Sequence, residues 1–256
     1  MNPVGRSAFF VTVSLLATAC GKKGPLIYPD MMIPAAPAAA IAQQSGSIVK
    51  LQFTLPDKDR AGRPVQGVAG VRISRRAHEA GQKDVCRSCM TDYTLFQTLY
   101  LDHVPDTTQR FGNRLVVLDG DVTAGNSYSY RLVPFTTDGL DGAVSTTADV
   151  GVMSALPAPV VIIESLPTEI RLRMSFQLPV AGQLLGYSLY RRVAGTVRSS
   201  LPVNKEPQKG GEYVDAGIER GVKYQYSVRA LVALGGGDVV ESLESQEVEG
   251  MLKDDE

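Results

Sequence analysis

Asp119-Gly120-Asp121-Val122-Thr123-Ala124-Gly125-Asn126-Ser127-Tyr128-Ser129-Tyr130 and Asp215-Ala216-Gly217-Ile218-Glu219-Arg220-Gly221-Val222-Lys223-Tyr224-Gln225-Tyr226 are two versions of one pattern. In both, Gly and the two Tyr follow the Asp at the same distances, and every matched residue is offset by 96. The match spreads outward from these segments. Ile33-Pro34-Ala35-Ala36-Pro37 answers Leu156-Pro157-Ala158-Pro159, and Phe53-Thr54-Leu55-Pro56 answers Phe176-Gln177-Leu178-Pro179. Gly70-Val71-Arg72-Ile73-Ser74-Arg75-Arg76 answers Gly186-Tyr187-Ser188-Leu189-Tyr190-Arg191-Arg192. Self-similarity of this kind is the mark of repeated structural units, so two like modules are expected in series.

The matched segments are strands. Leu51, Phe53 and Leu55 alternate with Lys50, Gln52 and Thr54, the two-residue period of a sheet with one buried face. Twenty-five Gly, fifteen Pro and ten Tyr, with no Trp, fit short strands joined by frequent turns, and no stretch of helical apolar period follows the first 20 residues. The Gly-x-x-Tyr-x-Tyr element resembles fibronectin type III domains. The resemblance implies two tandem all-β antiparallel sandwiches, with Tyr128 and Tyr224 as tyrosine corners whose hydroxyls bond back to the preceding turn. Phe53 and Phe176 stand where that family commonly keeps a core Trp. Of the twin Arg pairs, Arg75-Arg76 and Arg191-Arg192, adjacent members point to opposite faces of a strand, so one of each must cover the sandwich edge or meet a carboxylate.

The offset falls from 116 at the Arg pairs to 96 at the Tyr pairs, so the first module carries 20 extra residues in between. Cys86-Arg87-Ser88-Cys89 lies there, and the second module has no Cys. In an oxidising compartment two thiols this close pair, and the disulfide would stiffen the insertion. The same spacing suits thiol-disulfide exchange. A third reading completes a zinc set, His78, Cys86, Cys89 and His103, from the only two histidines, although the spacing matches no familiar finger. Asp138 and Asp141 in a Gly-rich hairpin are expected as turn caps rather than calcium ligands.

Ahead of the modules, Ala8 to Ala19 form an apolar run too short to cross a bilayer, preceded by Arg6 and ending in Leu16-Ala17-Thr18-Ala19-Cys20. This run resembles the signal of bacterial lipoproteins. The resemblance implies removal of residues 1–19, diacylglycerol on the Cys20 thiol and a lipid anchor in the cell envelope. Cys20-Gly21-Lys22-Lys23-Gly24-Pro25-Leu26-Ile27-Tyr28-Pro29 is similar to the start of small outer-membrane lipoproteins associated with the lipopolysaccharide translocon. That similarity implies the outer membrane, with the body facing the periplasm, and makes the translocon a candidate partner.

The expected organisation is a signal peptide (1–19), a lipidated tether (20–34), a first sandwich with the Cys insertion (35–153), a second sandwich (154–250) and an acidic tail (251–256). Met153 to Pro159 is short and proline-bearing, which restricts movement between modules. Net charge is −1, so no electrostatic footprint for nucleic acid is present. There is no Gly-x-Ser-x-Gly elbow, no His-Glu-x-x-His and no Gly-rich phosphate loop after a strand. The expectation is a lipid-anchored, non-enzymatic interaction or structural module with no cofactor beyond its lipid. A passive spacer and a redox or zinc protein built on Cys86 and Cys89 are the alternatives.

Overall fold

A computed structural model describes residues 28–65, 67–79, 92–178 and 181–253. After a 3-10 turn at Pro29–Met31, the first half contributes β1 (Ala38–Ser45), β2 (Ile48–Thr54), β3 (Val68–Glu79), β4 (Thr94–Tyr100), β5 (Thr108–Phe111), β6 (Arg114–Asp119), β7 (Asn126–Thr136) and β8 (Ala148–Gly151). The second half contributes β9 (Val160–Ser165), β10 (Ile170–Ser175), β11 (Gln183–Val193), β12 (Glu212–Asp215), β13 (Tyr224–Ala233), β14 (Val239–Glu241) and β15 (Val248–Gly250). No α-helix occurs among the described residues.

The chain is all-β and builds sandwiches. In the first half, β1, β2, β6 and β5 face a sheet ordered β4-β3-β7-β8. In the second, β12-β10-β9 face β11, β13 and β15. Alternation along each strand buries one face. Val49, Leu51 and Phe53 from β2 meet Val71, Ile73, Tyr130 and Leu132 in one core, and Ile170, Leu172, Leu189, Tyr226 and Val228 fill the other. Phe53 lies deep in the first core, but Phe176 falls past the end of β10 and is only half-buried, leaving Leu172 and Met174 to fill its module.

Between Arg75 and Asp119, where the first half is 20 residues longer, the described residues include two strands, β4 and β5, that the second half lacks. The first half has β4 pairing along β3, and β5 folding back on β6 through Gly112-Asn113. The matching stretch of the second half is irregular. It bonds β11 where Tyr187 and Gln208 exchange backbone hydrogen bonds of 3.0 and 2.9 Å, where Val203 N–H bonds Leu189 O at 2.8 Å, and where Asn204 accepts the Leu189 N–H and donates to Tyr187 O, both at 2.8 Å.

Two differences from the sequence reading concern the ends of the first module. Residues expected to belong to the tether are laced onto the sandwich. Met31 O accepts the Ala61 N–H at 3.0 Å, Ile33 O accepts the Arg60 N–H at 3.1 Å, and Pro34 O accepts the Ala143 N–H at 2.9 Å. At the far end the halves are joined by more than a linker. Ser45 of β1 pairs in parallel with Glu241 of β14, so one sheet runs on from the second half into the first.

Gly70 and Gly186, matched in the repeat, serve the same purpose. Each stands at a register shift where a neighbouring backbone crosses closely. A Cβ at Gly70 would press into the Leu99 carbonyl oxygen, and one at Gly186 would lie 2.6 Å from the Gln208 carbonyl oxygen. Gly70→Ala and Gly186→Ala should each lower stability by about 1–3 kcal/mol, read as a lower urea midpoint at unchanged slope.

Candidate functional site

Arg75, Asp119, Tyr128 and Tyr130 form one cluster at the corner between β6 and β7. The Arg75 guanidinium forks onto Asp119 at 2.8 and 3.0 Å, reaches Asp121 at 2.8 Å and bonds the Asp121 carbonyl at 2.7 Å. Tyr130 donates its hydroxyl to Asp119 at 2.8 Å, and the Asp121 N–H donates to the same carboxylate at 3.0 Å. Tyr128 accepts the Thr123 N–H at 2.8 Å, five residues upstream, while its ring carries the Arg75 guanidinium at 5.5 Å. The sandwich closes here because Asp119 is wholly buried and every bond it accepts comes from a fixed donor.

The second half repeats this arrangement except at Asp121, whose place is taken by Gly217, which supplies a carbonyl but no carboxylate. Arg191 binds Asp215 at 2.7 and 2.9 Å and the Gly217 carbonyl at 3.1 Å, and Tyr226 donates to Asp215 at 3.0 Å. The Gly217 N–H donates to Asp215 and the Glu219 N–H to the Tyr224 hydroxyl, both at 3.1 Å, with Arg191 5.4 Å from the Tyr224 ring. Burial works against the Arg75 charge, but the Asp121 and Asp119 carboxylates outweigh it and keep the guanidinium ionised. Burial, reinforced by Asp119, pushes the Tyr130 hydroxyl up, so it remains a donor. These groups are fully engaged with one another, which makes the cluster a lock rather than a reactive site.

The other Arg of each pair goes elsewhere. Arg192 meets Glu247 at 2.8 Å. Arg76 and Arg131 both lie over the Tyr93 ring, at 4.9 and 4.3 Å from its centroid, on the face of β3 and β7 turned away from the core.

A second charged cluster sits where the halves meet. Glu241 accepts from Lys50 at 2.9 Å, Ser45 at 2.6 Å, Ser188 at 3.1 Å and Tyr190 at 3.2 Å, and Lys50 also donates to Tyr190 at 3.0 Å. Lys50 and Ser45 belong to the first half, and the other three groups to the second. Gln109 extends the junction, donating to Arg198 O at 2.7 Å and accepting the Ser200 N–H at 2.6 Å. Gln44 grips the linker from both sides of Met153, at 2.8 and 2.9 Å. Burial alone would push the Glu241 carboxyl up; Lys50, Ser45 and Arg229 together hold it below its ordinary value. Burial drives the Lys50 ammonium down, and Glu241 offsets this only in part.

The remaining sequence candidates are placed as follows. Cys20, Cys86 and Cys89 lie outside the described residues. His78 and His103 cannot share a zinc ion. His78 is near the end of β3, whereas Leu101, two residues before His103, bonds Ala69 at the beginning of that strand. Nine residues of strand span about 30 Å, far beyond one coordination sphere. Among the described residues no group of three metal-ligating side chains converges. Asp138 accepts from Thr136, and Asp141 pairs with Arg72, as turn and edge contacts. A groove of about 300 Å³ runs between β1, β8 and β14, lined by Ile41, Gln43, Asp149, Val150, Asp238 and Val239. It contains no paired acid and base.

No protein-family model matches the chain. Among solved structures it is similar to the crystal structure of chicken CNTN1 FN1-FN3 domains. Identity is 14%, the TM-score is 0.33, and the match covers 87% of this chain and 69% of that one.

Three predictions test the clusters. Lys50→Ala should cost about 3–5 kcal/mol in urea unfolding because it strands a buried carboxylate, and the pair Lys50→Met with Glu241→Leu should recover most of that. Glu241, held below its ordinary value of 4.5, contributes stability that is complete above that pH and is lost as pH falls through the lower folded value. In Glu241→Gln that part of the acid limb should disappear from a pH series of urea midpoints. Tyr128→Phe and Tyr224→Phe should each lose about 1 kcal/mol, the worth of one hydrogen bond to a backbone N–H.

Proposed function

We propose that this chain is a lipid-anchored protein of the bacterial cell envelope whose two sandwiches act as one stiff unit for protein interaction or envelope structure, without catalysis. The observation that carries the reading is the buried junction of Lys50, Glu241, Tyr190 and Ser45, which spends its charged groups on holding two modules in one orientation. A spacer that only had to occupy length would not require a desolvated ion pair at its waist. The twin corners support the same reading, since their Arg, Asp and Tyr side chains are consumed in closing each fold.

Attachment follows from the Cys20 motif. Diacylglycerol on Cys20, with acylation of the new amino terminus, supplies the two or more chains that stable anchoring needs. Gly21 rather than Asp after the Cys favours the outer membrane, and the likeness of residues 20–29 makes the lipopolysaccharide translocon the first partner to test. The Cys86-Cys89 insertion is the part by which the first module departs from the second, and a loop on a stiff scaffold suits recognition.

Cys20→Ala should move the protein from the membrane to the soluble fraction and abolish incorporation of labelled fatty acid. In-cell crosslinking should capture a discrete envelope protein with the wild type and lose it on deletion of Glu79 to Thr91. Identical background proteins in both samples would leave the spacer role as the better account.

A further inference from the structure

The first sandwich has one end built around the incoming chain. Residues 31–35 lie as a strap between the Asp57–Pro64 loop and the stretch after the Asp138–Gly142 turn, with Ala35 N–H bonded to Lys58 O at 2.9 Å in addition to the three bonds already described. Gly142 admits no side chain here: a Cβ would lie 2.8 Å from Pro34 O and 2.7 Å from Pro134 Cγ. The strap is thus a fixed part of that end and not a free leash.

Large apolar side chains stand out of this same end. Tyr28 is 68% exposed, Met32 51%, Leu140 47% and Val144 45%. Around them Arg60 pairs with Asp30 at 3.8 Å, Arg63 with Asp59 at 2.7 Å and Arg72 with Asp141, while Asp57, Lys58 and Asp138 are exposed charges of both signs. Such a surface, apolar at its tips and with nearly balanced charge around its base, fits the headgroup layer of a bilayer better than a highly charged partner.

The length of chain ahead of the strap selects that occupant. Tyr28 lies only eight residues along the chain from Cys20, and a fully extended chain of that length spans at most about 28 Å. β3, with 12 residues, is itself about 40 Å long. A lipid on Cys20 therefore keeps the strap end nearer the membrane than the sandwich is long. Resting on the lipid-anchor reading, we infer that the strap end of the first sandwich is a membrane-contacting surface, with Met32, Leu140 and Val144 seated among phospholipid headgroups.

The absence of Trp from the chain gives a direct test. Met32→Trp and Leu140→Trp place an indole at the strap end, and Val197→Trp, at a site 88% exposed in the second half, serves as the control. Each full-length lipidated variant is reconstituted in phosphatidylethanolamine and phosphatidylglycerol vesicles containing lipid brominated near the headgroup end of its acyl chains. With all three variants floating with the vesicles, the strap-end indoles should lose about half their emission, as interfacial aromatics do, with the control unchanged. Co-flotation with strap-end indoles no more quenched than the control overturns the inference and leaves the anchor intact. A blue shift without quenching that grows with protein density assigns this end to a second copy and also overturns it. Failure of the wild type to float removes the anchor reading, and the inference falls with it.

Discussion

A buried carboxylate needs several donors whose positions are fixed by something other than the carboxylate itself, and that requirement organises both halves of this chain. Asp119 and Asp215 each end a strand, and each takes its donors from three other places: an Arg on the opposite sheet, a Tyr on the following strand and an N–H in the intervening corner. The second Tyr tethers the corner and lies against the Arg. Sheets that face each other across apolar side chains can slide; a shared ion with directional bonds fixes their registry. The apolar cores supply most of the driving force, and the corners decide which packing is adopted.

The junction applies the same solution between modules. An outward-facing Lys on one sandwich would ordinarily remain in water. Here Lys50 is covered by Tyr190 and Glu241, and Glu241 in turn collects Ser45 and Ser188. Because β14 runs on beside β1, the ion pair lies beside backbone that already joins the halves. The Met153–Pro159 segment needs little stiffness of its own, since Gln44 clasps it at Met153 and Leu156 O accepts the Leu243 N–H at 2.8 Å.

What could be read from the sequence follows from how local each feature is. The Gly-x-x-Tyr-x-Tyr corners were legible because donor and acceptor lie five residues apart, and the strands because alternation is a nearest-neighbour property. The role of Arg75 and Arg191 was half legible. The sequence leaves one member of each pair either to cover the sandwich edge or to meet a carboxylate, and the choice is hidden by separations of 44 and 24 residues, which differ by the same 20 residues that the repeat offset loses. That coincidence was the available signal. Lys50 was not legible at all, since alternation places it with Gln52 and Thr54 on an outer face, and its partner lies 191 residues on. The bonds of Met31, Ile33 and Pro34 are not legible, since Ile33-Pro34 has no strand pattern and the partners lie in loops.

These contacts give the molecule a direction. The strap occupies the end where β3 begins, and the Cys-bearing insertion departs from the end where it finishes. The base of that insertion is coupled to the junction. Glu79 pairs with Asn126, Asn126 O accepts the Val152 N–H at 2.8 Å, and the next residue, Met153, is the one clasped by Gln44. Glu79, the last described residue before the insertion, therefore stands about 40 Å along β3 from the strap end and on a bonded path to the linker. A recognition loop on a swinging arm would lose binding energy to the ordering of that arm. For the binding role proposed above, a mount fixed by the Asn126–Val152 bond and the Gln44 clasp has already lost that freedom in folding.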